Sequence, residues 1–380
     1  MYGAQTMGLI NRQELTAKRL TELEKLKSRG RKLAGYFCLY VPVELLRAAG
    51  ATPIRLARAD YPSSQAGERY LRADACPFCK SSLEKVVSDP LYQLMDMLIF
   101  VNTCDMMRRL PELIATRVSI PVFQLYLPRT AEPFPARIAE FEHQLRRLAE
   151  FVTRLTGTAI DDQYLRTEIE IGNQLRSALR SIEILRALPA PRLTTAELFD
   201  LISLATLLEP ADIIPLIAQI KNQVGNRVFN RQPTPPRLLL AGSIIAEGER
   251  EVISLLEERA TIVADVICTG ARFIEGDIAT DSDPFRSLAR YYFNRIPCPC
   301  RRPNTALYQQ IRQLITERQI QGIVYQTLLY CDPWRFEARD LRQATGLPML
   351  EIDHDYSRQN FEQLRTRIEA FVEMLIEAGK

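Results

Sequence analysis

Short apolar runs recur in both halves of the chain, each leading into a polar loop and then a helix-forming stretch, and this alternation constrains the fold most. In the first half the runs are 33–37, 52–56, 95–101 and 120–125; in the second they are 237–243, 261–266, 322–326 and 349–352. Runs of this length, rich in Val, Ile, Leu and Phe, suit strands buried on both faces of a parallel sheet. Helical patterns at 12–31, 42–50 and 107–117 alternate with the first set, and SIIAEGEREVISLLEE (243–258) reads as a helix after RLLLAGS. From 135 to about 226 the chain is mostly long helical patterns, interrupted at Gly157, Pro189, Pro191 and Pro210. The fold class is therefore α/β, with two Rossmann-like parallel-sheet domains and a substantial helical segment between them. The expected boundaries are 1–134 for the first sheet domain, 135–229 for the helical segment associated with it, and 230–380 for the second. NRQPTPPR (230–237) forms the junction. A length of 380 residues fits two cores better than one.

In such sheets ligands sit outside the carboxyl ends of the strands. Cys38, Cys104, Cys268 and Cys331 each lie shortly after an apolar run. The chain has eight cysteines, the others being Cys76, Cys79, Cys298 and Cys300. The N-terminus has no continuous apolar stretch, so no secretion signal is expected and disulfide stapling is a poor explanation. CPFC (76–79) by itself is compatible with a redox pair, half of a zinc site or part of a cluster site, and IPCPC (296–300) adds a Cys-Pro-Cys. No second CxxC with zinc spacing is present. Free cysteines also serve as small buried hydrophobes, and for Cys38 alone that reading is as good as any other. The two histidines are His143, expected on a surface helix, and His354, at a strand end where it could approach a ligand.

Other chemistries lack support. There is neither a GxGxxG run nor a GxxxxGK[ST] phosphate loop, so any ATP hydrolysis belongs to another polypeptide. A net charge of +3 with dispersed Lys and Arg argues against nucleic acid as a partner. The apolar runs at 97–101 and 238–241 are too short to span a bilayer, so a cytoplasmic protein without a membrane span is expected.

Separated stretches carry a family resemblance. GYFCLYVPVELLRAAG (35–50), ADACPFCKS (73–81), VNTCDMMRRLPE (101–112), RLLLAGS (237–243), VADVICTGARF (263–273), YYFNRIPCPCRRPN (291–304), GIVYQTLLYCDPWRFEARDL (322–341), GLPMLEIDHDY (346–356) and TRIEAFVEML (366–375) follow the family's order along nearly the whole chain. Together they resemble the superfamily of 2-hydroxyacyl-CoA dehydratases, benzoyl-CoA reductases and double-cubane-cluster proteins, in particular the dehydratase D-component. The resemblance implies a [4Fe–4S] cluster in a cleft at the domain seam, held by cysteines at the positions of Cys76, Cys104 and Cys331. The fourth iron would be left open to substrate. In the double-cubane relatives a second set of cysteines holds another cube, giving an [8Fe–9S] cluster, and Cys38, Cys268 and either Cys298 or Cys300 fall in the matching stretches. Single and double cubes both stay open at this point.

The implied activity is elimination of water from a 2-hydroxyacyl thioester through a ketyl radical. The alternatives are reduction of a small or aromatic substrate by a double-cubane, ATP-dependent system, and a non-catalytic cluster-transfer or zinc-stabilised scaffold. The implied partners are a separate ATP-hydrolysing iron–sulfur electron donor and a second subunit, as a homodimer or as a heterodimer with a homologous chain. Asp105 and Asp332, each following a nominated cysteine, are expected to cap helices, and Trp334 either lines the pocket or packs the seam.

Overall fold

The computed structural model describes residues 9–227, 229, 234–247, 249–295, 298–357 and 359–378; part of the expected junction at 230 and two residues of IPCPC lie outside them. Strands β1 (Lys32–Tyr36), β2 (Ala51–Arg55), β3 (Met97–Val101) and β4 (Val122–Leu125) form one sheet in the order β2-β1-β3-β4. Strands β5 (Arg237–Gly242), β6 (Thr261–Asp265), β7 (Gly322–Leu328) and β8 (Met349–His354) form a second in the order β6-β5-β7-β8. Every strand pairing in both is parallel. The two sheets thus repeat one topology, with the order reversing between β1 and β3 and again between β5 and β7. Helices flank both, as expected from the alternation.

In the first half these are α1 (Arg12–Ser28), α2 (Val43–Ala48), α3 (Tyr61–Ala66), α4 (Pro77–Ser88), α5 (Pro90–Gln93) and α6 (Asp105–Ala115). The helical segment contributes α7 (Pro135–Thr156), α8 (Asp162–Glu183), α9 (Thr195–Ala205) and α10 (Pro210–Val224). The second half adds α11 (Glu251–Arg259), α12 (Pro284–Asn294), α13 (Thr305–Glu317), α14 (Asp332–Thr345) and α15 (Phe361–Ala378). None of the described helices is long and apolar enough to cross a membrane.

One departure from the sequence reading has a physical cause. The helix expected over 243–258 begins only at Glu251. Tertiary contacts claim the residues before it: the Ser243 hydroxyl accepts from the Leu328 amide at 2.9 Å, Ile245 and Ala246 are buried, and the Glu247 amide donates to Ala57 at 2.9 Å. Helices of both halves also make contacts with the other half's sheet or core. α12, which lies between β6 and β7 in the chain, buries Phe285, Leu288, Tyr292 and Phe293 in the core on one face of the first sheet, together with Phe141 and Leu145 of α7. α9 reaches both sheets: the Thr195 hydroxyl donates to Ile262 of β6 at 2.9 Å, and Thr206, just past its end, accepts from the Arg55 amide of β2 at 3.3 Å. The halves are therefore locked together by buried contacts on two sides.

A buried ion network fastens α8 to the second sheet. Glu183 pairs with Arg186 at 2.8 Å and with Arg318 at 2.6 Å, and Arg186 in turn meets Asp265 at the end of β6 at 2.8 Å. Burial alone would push the Glu183 carboxyl up, but Arg186 and Arg318 outweigh it and hold it at about 2, below its ordinary 4.5. A carboxylate depressed in the folded state stabilises above its unfolded value and loses that contribution as pH falls through the folded value. The window here runs from pH 4.5 down to about 2, and the contribution at stake is at most about 3 kcal/mol. Glu183→Gln is expected to lower the urea midpoint at pH 7, because Arg186 then stays buried with less compensation. The gap between wild type and variant should shrink when unfolding is repeated at pH 3. An unchanged gap would show that ionisation of this group is not what stabilises the joint.

Candidate functional site

All eight cysteines line one cavity of about 810 Å³, which opens between the carboxyl ends of the two sheets. Cys38 follows β1, Cys104 follows β3, Cys268 follows β6 and Cys331 follows β7, so both points of strand-order reversal face it. Cys298 and Cys300 enter on the loop after α12. That loop is held in place by Arg301, whose buried guanidinium donates to the carbonyls of Pro128 and Thr130 beyond β4. None of the cysteines is in a disulfide.

Cys76, Cys104 and Cys331 share one local device: each is the N-cap of a helix, α4, α6 and α14 respectively. Proline at the start of α4 and α14 pre-sets the first turn. At a helix N-terminus the free amides and the dipole favour negative charge on sulfur; the Met107 amide already donates to Cys104 Sγ at 3.4 Å. The capping expected of Asp105 and Asp332 is therefore corrected. They are the first helical residues, and the cysteine before each holds the cap position. In α4 the first turn carries Cys79 three positions beyond Cys76, which brings both into the same cavity.

The thiols fall into two sets by the charges each one feels. Cys79 and Cys331 both feel Cys76 and Cys104, whereas Cys38 feels Cys298 and Cys268. Cys300 feels Cys298 and Cys38, and Cys298 also acts on Cys104 and Cys331, so the sets adjoin. Burial pushes the Cys38 and Cys104 thiols up to about 12. Cys298 is lowered instead, first by a hydrogen bond from Cys300 and, against burial, by the charge of Arg272.

Two arginines escaped the sequence reading. Arg55 and Arg272 line the cavity, and both are more than nine-tenths buried. Arg55 donates from Nη1 to the Cys268 carbonyl at 2.8 Å, while its Nε and Nη2 have no hydrogen-bond partner. Arg272 reaches the Cys298 thiol, lies 5.6 Å over the Trp334 ring and leaves Nε without a partner. Positive charge is thus concentrated beside the second set. Trp334 lines the cavity with Phe37, Phe78, Met107 and Leu328, giving it largely apolar walls. His143 is exposed on α7, as expected. His354 does not reach the cysteines; it lines a separate cavity with Asp353 and Asp355, and its Nδ1 accepts from the Tyr356 amide at 3.1 Å.

Among the described residues no three His, Cys, Asp or Glu side chains form a group that could hold a single metal ion. This does not conflict with the shared cavity. A cube spaces its thiolates more widely than one ion does, because iron and sulfide stand between them. An all-sulfur donor set with unpartnered guanidinium nitrogens beside it fits a sulfide-rich anionic cluster.

Sequence comparison agrees with the ordered stretches. The family profile described as 2-hydroxyglutaryl-CoA dehydratase, D-component, matches residues 38–375. A protein of Escherichia coli (strain K12) carrying the provisional name of a dehydratase subunit, YjiM, is 29% identical over 364 residues, 92% of this chain and 93% of the relative. The (R)-phenyllactyl-CoA dehydratase beta subunit of Clostridium sporogenes is 23% identical over 359 residues, 93% of this chain and 94% of its own. One of the benzoyl-CoA reductase subunits of Thauera aromatica is 21% identical over 359 residues, 91% of each chain.

Proposed function

Because the chain belongs to the 2-hydroxyglutaryl-CoA dehydratase D-component family, we propose that it is an iron–sulfur, electron-accepting catalytic component of the dehydratase or reductase type. The observation that carries this reading is the gathering of all eight cysteines from both sheets into one cavity. Cys76, Cys104 and Cys331 would hold a [4Fe–4S] cluster. When bound, the cluster would supply one electron at low potential to a substrate carbonyl, which loosens the bond to a neighbouring hydroxyl.

The chain's own residues do the rest. Backbone amides at the N-termini of α4, α6 and α14 donate toward the three sulfurs, supporting the Cys79 thiol in lowering Cys76 and opposing the burial that raises Cys104 and Cys331. Phe37, Phe78, Met107 and Trp334 keep water from the cavity, which strengthens the electrostatics inside it. The Ser243 hydroxyl, by accepting from the Leu328 amide, fixes the end of β7 just before the Cys331 loop. Tyr330, next to Cys331, and Phe336 in the first turns of α14 are exposed and would offer apolar surface to an electron-donating protein. That donor would be a separate ATP-hydrolysing iron–sulfur protein. A second subunit, either a copy of this chain or a homologue, would complete the assembly.

Two substrate classes follow from the cluster type. A single cube goes with elimination of water from a 2-hydroxyacyl thioester, the chemistry in the names of the dehydratase relatives. A double cube goes with reduction of a small or aromatic substrate. The second thiol set (Cys38, Cys268, Cys298 and Cys300) with Arg55 and Arg272 beside it favours the double cube. Oxygen-free purification followed by iron, sulfide and zinc analysis tests the common ground. Iron and sulfide in near-equal amounts, at about four or eight per chain, are expected; zinc alone would remove the proposal. Turnover with a 2-hydroxyacyl-CoA, set against reduction of an aromatic acyl-CoA under the same ATP-driven electron supply, then separates the classes.

A further inference from the structure

Behind the cysteine cavity, sharing Leu39 as a wall, lies a second and much smaller pocket whose lining includes Tyr36, Glu44, Arg47, Arg176, Tyr292 and Arg295. Three guanidinium groups face it against a single carboxylate, and all three arginines are at least nine-tenths buried. Glu44 is already committed: Arg176 donates to it from Nη1 at 2.7 Å and the Tyr292 hydroxyl donates at 2.6 Å. Arg176 spends Nη2 on Asn173 at 2.5 Å, and Arg295 spends Nη2 on the carbonyls of Arg272 and Phe273. What remains is Arg47 Nε and Nη1, Arg176 Nε and Arg295 Nε, each buried and without a hydrogen-bond partner.

The acids outside the pocket answer part of this charge but accept from none of the four free N–H groups. Glu209 bridges two arginines, pairing with Arg19 at 2.5 Å through one oxygen and with Arg47 Nε at 4.0 Å through the other, too far for a hydrogen bond. Glu168, near Arg47, and Glu275, near Arg295, are both pushed up by burial, with those arginines opposing the shift. A further cation, Arg55, stands beside Tyr36 as its partner across β1 and β2. Buried guanidinium N–H groups without acceptors are costly, and one small anion could accept from several of them at once. The pocket has space for one or two water-sized bodies, too little for a nucleotide.

We propose that this pocket is a binding site for a small inorganic anion, of halide to nitrate size, held between Arg47, Arg176 and Arg295. Its charge would sit one layer behind Arg272, on the side of the second thiol set. The site goes beyond the catalytic reading and does not depend on cluster content, so protein with or without iron can be tested. Thermal unfolding is followed at constant ionic strength while gluconate, too large to enter, is replaced stepwise by bromide or by nitrate. The expected result is a saturable rise in midpoint, with the half-saturating concentration raised about tenfold or more in Arg47→Met and Arg295→Met. In gluconate alone Arg295→Met is expected to have a lower midpoint, because the Arg272 and Phe273 carbonyls lose their donor, so the response is read as the rise in midpoint within each protein. Crystals soaked in bromide give an independent reading, with an anomalous peak expected among the three guanidinium groups. A non-saturating response, an unchanged response in both variants, or water at that position under saturating bromide would overturn the proposal.

Discussion

Cys331→Ser protein, purified without oxygen, is expected to lose most of its iron and its iron–sulfur absorbance while its helical circular dichroism stays near that of the parent. Serine is a better N-cap than cysteine, so the substitution should leave α14 at least as well started as before. The loss would therefore report on ligation. A hydroxyl is a poor replacement for a thiolate toward iron in a sulfide cluster, because the alcohol is protonated at neutral pH and the softer donor is gone. Cys79→Ser is the contrast. Cys79 lies in the same cavity, but its partner Cys76 holds the cap position and is lowered mainly by a hydrogen bond from the Cys79 thiol. Near-parental iron is expected in that variant. If Cys79→Ser loses as much iron as Cys331→Ser, the assignment of Cys76, Cys104 and Cys331 as the ligand set is wrong.

The second large effect separates one cube from two. In Cys268→Ser a double-cube protein should fall from about eight iron atoms per chain to about four, keeping the spectrum of a simple cube. A single-cube protein should hold about four in both forms. Cys268 is only partly exposed and packs against the core on one face of the first sheet, so the small change of sulfur to oxygen leaves the fold in place. Equal iron in parent and variant would sink the double cube and return the lead to dehydratase chemistry. Partial loss of iron with retention of a cube signal would favour the reductase class.

How much of this was readable beforehand depended on how local the causes are. Strand β3 was plain because every residue of Met97–Val101 is apolar and buried, a pattern that few other structures demand. The late start of α11 was not readable, since Ile245 and Ala246 fit a helical face as well as they fit the core that takes them. The same division runs through the site. Cysteines are few and their chemistry is narrow, so their spacing after strands carried information about one another across the whole chain. Arg55 and Arg272 were invisible for the opposite reason: among 49 Lys and Arg residues, nothing local marks the two that fold inward. Only the packing of both sheets buries them. Cys104 shows an intermediate case, because the helix start was visible in CDMMRRL but the order of cap and first helical residue was misjudged by one position.

The assembly of one cavity from strand ends so far apart in the chain also sets a timetable for making the protein. Cys76, Cys79 and Cys104 leave the ribosome early, and about 230 residues must still be translated before Cys331 appears. At roughly 5–20 residues per second that is an interval on the order of 10–45 s. Throughout it the first sheet can fold, yet its thiols face a half-built wall, since Leu328, Trp334 and the arginine-pinned Cys-Pro-Cys loop arrive from the later half. A cluster delivered before Cys331 is made would lack one of its three proposed ligands. Loading must therefore wait for that residue, and the thiols exposed in the meantime are the point at which oxygen or a stray zinc ion can spoil the product.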